Sequence, residues 1–114
     1  MPSHPGTFIV LTNSIEGMDD EFNKWYDNQH IHDILKVPGF TSAQRFKATA
    51  VSGGGKPKWR YLAIYTSDTD QPQKLLDSAS SLAGTNVMPM TNAIDPDLFA
   101  VMYEPITPVV KSES

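Results

Sequence analysis

The sequence predicts an α+β domain: a four-stranded antiparallel sheet carrying two helices on one face, in the chain order β-α-β-β-α-β. Three observations predict it. Four segments are rich in β-branched and aromatic residues, FIVLTN (8–13), FTSAQRFKA (40–48), WRYLAIYTS (59–67) and LFAVMYEP (98–105). Two segments between them carry helical signals. The length of 114 residues suits a single domain, expected to span 1–114 with a loose arm over 1–6 and a frayed tail over 106–114.

The elements follow in order. The first strand, 8–13, is apolar on both faces, and Ser14 to Gly17 turn the chain. Asp19, Asp20 and Glu21 then suit a helix start, where carboxylates meet unpaired N–H groups. This helix is expected over about 19–29, with a second helical piece over 31–36 ended by Pro38-Gly39. The second strand leads through GGG at 53–55 into the third, where Trp59, Tyr61, Ala63 and Tyr65 share one face and Leu62 and Ile64 the other. The second helix begins between Asp68 and Pro72 and runs to Gly84, with Leu75, Leu76, Ala79 and Leu82 at helical spacing. Residues 84–97 read as an irregular loop before the last strand.

Helices can cover only one face of such a sheet. Yet Phe8 and Val10 alternate with Ile9 and Leu11, and Phe99, Val101 and Tyr103 line up on the last strand. A second layer must cover the free face, and another copy of the same sheet is the simplest one, so a homodimer packed sheet to sheet is expected.

Composition excludes several functions. Apolar content of 39% and charge of 19% are ordinary for a globular protein. A net charge of −4 with nine dispersed Lys and Arg gives no footprint for nucleic acid. The absence of cysteine removes disulfides, thiolate metal sites and thiol nucleophiles. No signal peptide and no membrane-spanning run is visible, so a cytoplasmic location without a membrane partner is expected.

The chemistry concentrates in WYDNQHIHDILKVPGF at 25–40. Helical spacing puts Phe22, Trp25, Tyr26, Gln29 and Asp33 on one broad face, with His30 at its edge one turn from Tyr26. Histidine can take and return a proton near neutral pH, a tyrosine hydroxyl can donate to a developing oxyanion, and Asp33 could fix the imidazole tautomer. A purely structural reading stands beside this one: aromatic core and rim, a histidine near a helix end, and solvated acids. A metal is not expected, because His30 and His32, two apart on a helix, point to opposite sides. On the second strand either Gln44 and Phe46, or Arg45, could line the same cavity. Trp59 and Tyr65 could be pocket aromatics or plain interface.

The run EFNKWYDNQHIHDILKVPGFTSAQRF, with RYLAIYTS, NVMPMTNAIDPD and a closing MYE, resembles the dimeric α/β-barrel superfamily, and within it the small EthD-like proteins. The resemblance covers residues 8–104 and implies a ferredoxin-like fold that dimerises sheet to sheet. It matches His30 to the motif histidine, Trp25 and Tyr26 to the aromatic pair, and Asp33 to the following acid. Where such proteins commonly have proline this chain has His32, which keeps its N–H, adds a second titratable group and softens the expected break between the helical pieces.

Residues and resemblance together lead to one expectation. The chain reads as a cofactor-independent lyase, cyclase, dehydratase or isomerase acting by proton transfer on a small aromatic or polyketide-like molecule. His30, Tyr26 and Asp33 would be catalytic, and Phe22, Trp25, Gln29, Phe46, Trp59 and Tyr65 would bind substrate. The alternatives are a dimeric small-molecule binding protein without catalysis, and a cofactor-free monooxygenase.

Overall fold

A computed structural model describes residues 6–113. The expected loose arm therefore lies outside the described residues, except for Gly6, which already belongs to the first strand. The order is β1 (Gly6–Thr12), α1 (Asp19–Trp25), a π-helical turn (Tyr26–His30), α2 (Ile31–Leu35), β2 (Phe40–Lys47), β3 (Tyr61–Ser67), α3 (Pro72–Leu82) and β4 (Phe99–Tyr103). All strand pairings are antiparallel in the order β2-β3-β1-β4. This is the ferredoxin-like arrangement expected from the sequence.

The register assigns the faces. Val10 lies between Ala63 and Ala100, and Ile9 between Ile64 and Val101. Phe8, Val10 and Tyr65 face the helices and pack into the core, whose centre holds Phe22, Tyr26, Ala63 and Met88. On β2 the same face receives Ala43 and Arg45, opposite Tyr65 and Ala63. Ile9, Leu11, Leu62 and Ile64 occupy the other face, with Phe46, Val101 and Tyr103 exposed around them. The described chain therefore carries apolar side chains on both faces of one sheet.

The helical region differs from the expectation of two pieces. Asp19, Asp20 and Glu21 occupy the first turn of α1, and Phe22 N–H bonds Met18 O at 2.9 Å. The helix then continues to Leu35 without a break, because His32 retains the N–H that a proline would lack. The irregularity is instead a widened turn, in which Ile31 N–H returns to Tyr26 O, five residues back. Pro38 and Gly39 end the helical region. Gly39 has φ +118°, and a Cβ there would lie 3.0 Å from Leu75 on α3, so glycine serves both the turn and the close approach.

Pro72 opens α3 at its first turn, where its missing N–H costs nothing. The segment from Gly84 to Leu98 is irregular, as expected, and is tied down by isolated bridges between Ser14 and Ile94 and between Ala83 and Met88. The third strand begins at Tyr61, two residues later than the sequence predicts. Beyond β4, residues 104–113 form no regular element and are exposed. No helix among the described residues is long and apolar enough to cross a membrane.

Candidate active site

A cavity of about 440 Å³ lies between the helix-bearing face of the sheet, the π turn and α3. That volume falls in the range of small-molecule sites. Its floor is Phe8, Val10 and Thr12 of β1 with Tyr65 of β3. Tyr26, His30 and Ile34 form one wall, and Leu76 and Ala79 of α3 the opposite one. Met88, Met90, Ile94 and Leu98 of the irregular segment close a further side. Polar atoms enter from two directions: the imidazole and phenol of the first wall with the neighbouring Tyr65 phenol of the floor, and Gln73, Asp77 and Ser80 along the outer edge of α3.

The π turn sets the first wall. His30 meets the Tyr26 ring edge-on, with centroids 5.1 Å apart at 82°, and stacks on Trp25 with centroids 4.5 Å apart at 20°. Its Nδ1 is enclosed and has no hydrogen-bond partner among the described residues. Burial disfavours the charged ring and lowers its pKa from 6.5 to about 4, against the opposing pull of the Asp33 carboxylate. His30 is therefore neutral at neutral pH, able to accept a proton and quick to give it back.

Beside it the Tyr65 hydroxyl donates to the Tyr26 hydroxyl at 3.2 Å. Tyr26 donates to no acceptor among the described residues, which leaves its proton for a ligand in the cavity. Burial raises the pKa of both phenols, so both stay protonated, with the bond from Tyr65 and the charge of Arg45 acting the other way on Tyr26.

Of the residues the sequence singles out, His30, Tyr26 and Tyr65 line this cavity. The others take different places. Asp33 is buried at 3% exposure, but its carboxylate accepts from Gln29 Nε2 at 2.7 Å and faces Lys36 Nζ at 3.7 Å, and it makes no hydrogen bond to His30. The expected tautomer-fixing contact is thus absent among the described residues, and Asp33 reaches the imidazole only through its field. Phe22 is fully buried behind Tyr26, against Trp25 and Tyr61. Trp25 backs His30 and ties its Nε1–H to Pro89 O at 3.0 Å.

Gln29 and His32 are exposed. Phe46 sits opposite Leu62 on the far face of the sheet, because alternation along β2 sends Arg45 to the helix side instead. Trp59 precedes β3, with Lys58 Nζ 5.1 Å from its ring centre, and is not part of the cavity lining.

The sequence left open whether Gln44 and Phe46, or Arg45, line the cavity; the β2–β3 register turns Arg45 to the helix side, but none of the three is in the cavity lining. The polar edge of α3 was not singled out from the sequence, although the spacing of Gln73, Asp77 and Ser80 (i, i+4, i+7) carried the signal. Met88 and Met90 lie in a segment without periodicity, and no sequence signal could have placed them.

No family model matches the sequence, and no curated protein matches it. Solved structures do. A candidate monooxygenase from Shewanella loihica PV-4 has 13% identity and a TM-score of 0.59 over 96% of this chain and 98% of its own. An ethyl tert-butyl ether degradation (EthD) family protein from Bacillus halodurans C-125 has 18% identity and a TM-score of 0.55, over 90% and 99%. An arginine-to-serine variant of MhuD, with two manganese protoporphyrin IX molecules bound per active site, has 16% identity and a TM-score of 0.61, over 93% and 99%. The chain thus shares its ferredoxin-like fold with these structures.

Proposed function

We propose that this protein is a homodimeric enzyme that moves protons on a small aromatic or polyketide-like molecule without a cofactor, as a lyase, cyclase, dehydratase or isomerase. The observation that carries the reading is a neutral imidazole at position 30, its enclosed Nδ1 without a hydrogen-bond partner among the described residues, in the lining of an apolar cavity beside a tyrosine pair whose Tyr26 hydroxyl donates to no acceptor among them. His30 accepts a proton from the bound molecule, and the buried imidazolium, unfavourable where it forms, returns it to another atom. Tyr26, polarised by the bond from Tyr65, donates to the oxygen on which negative charge develops. Phe8, Ile34 and Leu76 hold the apolar body.

The apolar outer face of the sheet supports sheet-to-sheet pairing of two copies. Among the described residues no lysine or arginine lines the cavity to meet the propionates of a porphyrin, and the Asp77 carboxyl stands at its edge, so the lining does not fit haem.

The test is carbon-bound hydrogen exchange. A panel of aromatic and polyketide-like hydroxyketones is incubated with the protein in deuterated buffer and followed by NMR, with dissolved oxygen recorded in parallel. The expected result is deuterium incorporation or rearrangement of at least one compound without oxygen uptake. His30→Gln should slow it by roughly 10²–10⁴-fold, the usual worth of a positioned general base. Binding without any covalent change would instead establish a carrier, oxygen consumption a monooxygenase, and an unaltered rate in the variant would remove His30 from the chemistry.

A further inference from the structure

Arg45 stands outside the cavity lining, yet it touches the element that builds the cavity's reactive wall. It projects from β2 onto the helix face of the sheet, with only 13% of its side chain exposed. Its Nη1 donates to Asp27 Oδ1 at 2.6 Å and its Nη2 to Asn23 Oδ1 at 2.9 Å. Its guanidinium carbon lies 4.4 Å from the centre of the Tyr26 ring. Asn23 is in the last turn of α1, and Asp27 is the second residue of the π turn.

One planar group from a neighbouring strand thus holds two side chains at the entry to the widened turn, those of Asn23 and Asp27, and lies over the Tyr26 ring between them. A π turn gives up regular i→i−4 bonding and persists only where surrounding contacts over-determine it. No other side-chain hydrogen bond among the described residues joins this turn to a strand, apart from that between the Tyr65 and Tyr26 hydroxyls within the site itself.

We propose that Arg45 is a positioning residue: by forking between Asn23 and Asp27 across the face of Tyr26, it holds open the π turn that brings Tyr26 and His30 together on the cavity wall. The inference rests on that wall being the working one, but its test needs no substrate. The role requires the fork and not the charge alone, because lysine offers a point charge that cannot bridge two acceptors and cover a ring in one geometry.

The experiment compares the wild type with Arg45→Lys, Arg45→Met and the milder Asp27→Ala, since Asp27 is 59% exposed and its removal leaves the core intact. NMR reads two quantities: nuclear Overhauser contacts between the His30 and Trp25 rings, and the titration midpoint of His30, assigned by its disappearance in His30→Gln. In the wild type the contacts should be present, as the ring stacking requires, and the midpoint should lie well below 6.5, near 4. In both Arg45 variants the contacts should weaken at least twofold and the midpoint rise toward 6.5 as the turn relaxes to an ordinary helix. Asp27→Ala should move both in the same direction by less.

Should the Arg45 variants fail to fold, the Asp27→Ala result decides alone. Unchanged contacts and midpoint in Arg45→Lys, whether or not Arg45→Met shifts, would show that charge or bulk suffices and overturn the proposal. These readouts stand whatever turnover His30→Gln shows, so the failure of one reading is separable from that of the other.

Discussion

The Trp25 indole lies flat against the His30 imidazole, centroids 4.5 Å apart, and shields one side of that ring from water. Trp25 is itself anchored to Pro89 O, so the ring next to the cavity is backed by a fixed plane. Burial here has a thermodynamic consequence. The unfolded chain protonates His30 near 6.5, whereas the folded chain resists until about 4. Between those values the unfolded state binds more protons, so stability is full above 6.5 and is lost as pH falls toward 4. The loss is on the order of 3 kcal/mol for this group. Urea unfolding at a series of pH values should show it, and His30→Gln should flatten that part of the curve. An equal decline in the variant would assign the slope to carboxylates elsewhere.

The two buried phenols make a coupled pair. Tyr26→Phe removes the acceptor of the Tyr65 proton, and Tyr65→Phe leaves the Tyr26 oxygen without its donor. Each single change should destabilise by about 1–2 kcal/mol, the usual range for stranding a buried polar partner. The double variant should lose less than the sum, by about 0.5–1 kcal/mol, because the second change strands nothing further. Denaturant midpoints for the four proteins of the cycle measure this, and strict additivity would mean that the hydroxyls do not interact.

Much of this was legible in the sequence, and the reason differs by element. WRYLAIYTS alternates so strictly that it could be read as a strand with two defined faces, leaving only the start, Tyr61 rather than Trp59, misplaced. Helical spacing found Tyr26 and His30 as neighbours. It could not find the π turn, since one additional residue per turn leaves no mark on composition and reflects contacts made from another strand, Arg45 foremost. Asp33 shows the same limit: proximity in the chain suggested a partner for His30, while its carboxylate is held by Gln29. On β2 only pairing with β3 could decide that Arg45 faces inward and Phe46 outward.

The outer sheet face yields a prediction independent of catalysis. Ile64 and Ile9 are opposite one another in its middle strands, flanked by Leu62 and Val101. If two copies pair through this face, a charge at its centre must be desolvated in the dimer but not in the monomer. Ile64→Glu should convert a dimer into a folded monomer by light scattering, with a far-ultraviolet spectrum close to wild type. A dimer that survives the change would place the interface elsewhere.

Trp25 joins the helical wall to the irregular segment that closes the cavity. Its Nε1–H reaches Pro89 O, between Met88, which is buried, and Met90, which is half exposed. Trp25→Phe keeps a ring to stack on His30 but deletes that donor, at a cost of about 1 kcal/mol. The larger effect should be local. Backbone bonds such as Met88 N–H to Thr85 O and Ile15 N–H to Ala93 O hold the segment in place, and they open more often when its tie to the helix is cut. Amide exchange at Met88 and at Ile15 should accelerate several-fold, while amides of β1 and β3 keep their wild-type rates. Uniform acceleration across the sheet would mean that Trp25 supports the whole fold; no acceleration would mean that the segment holds its place without the helix.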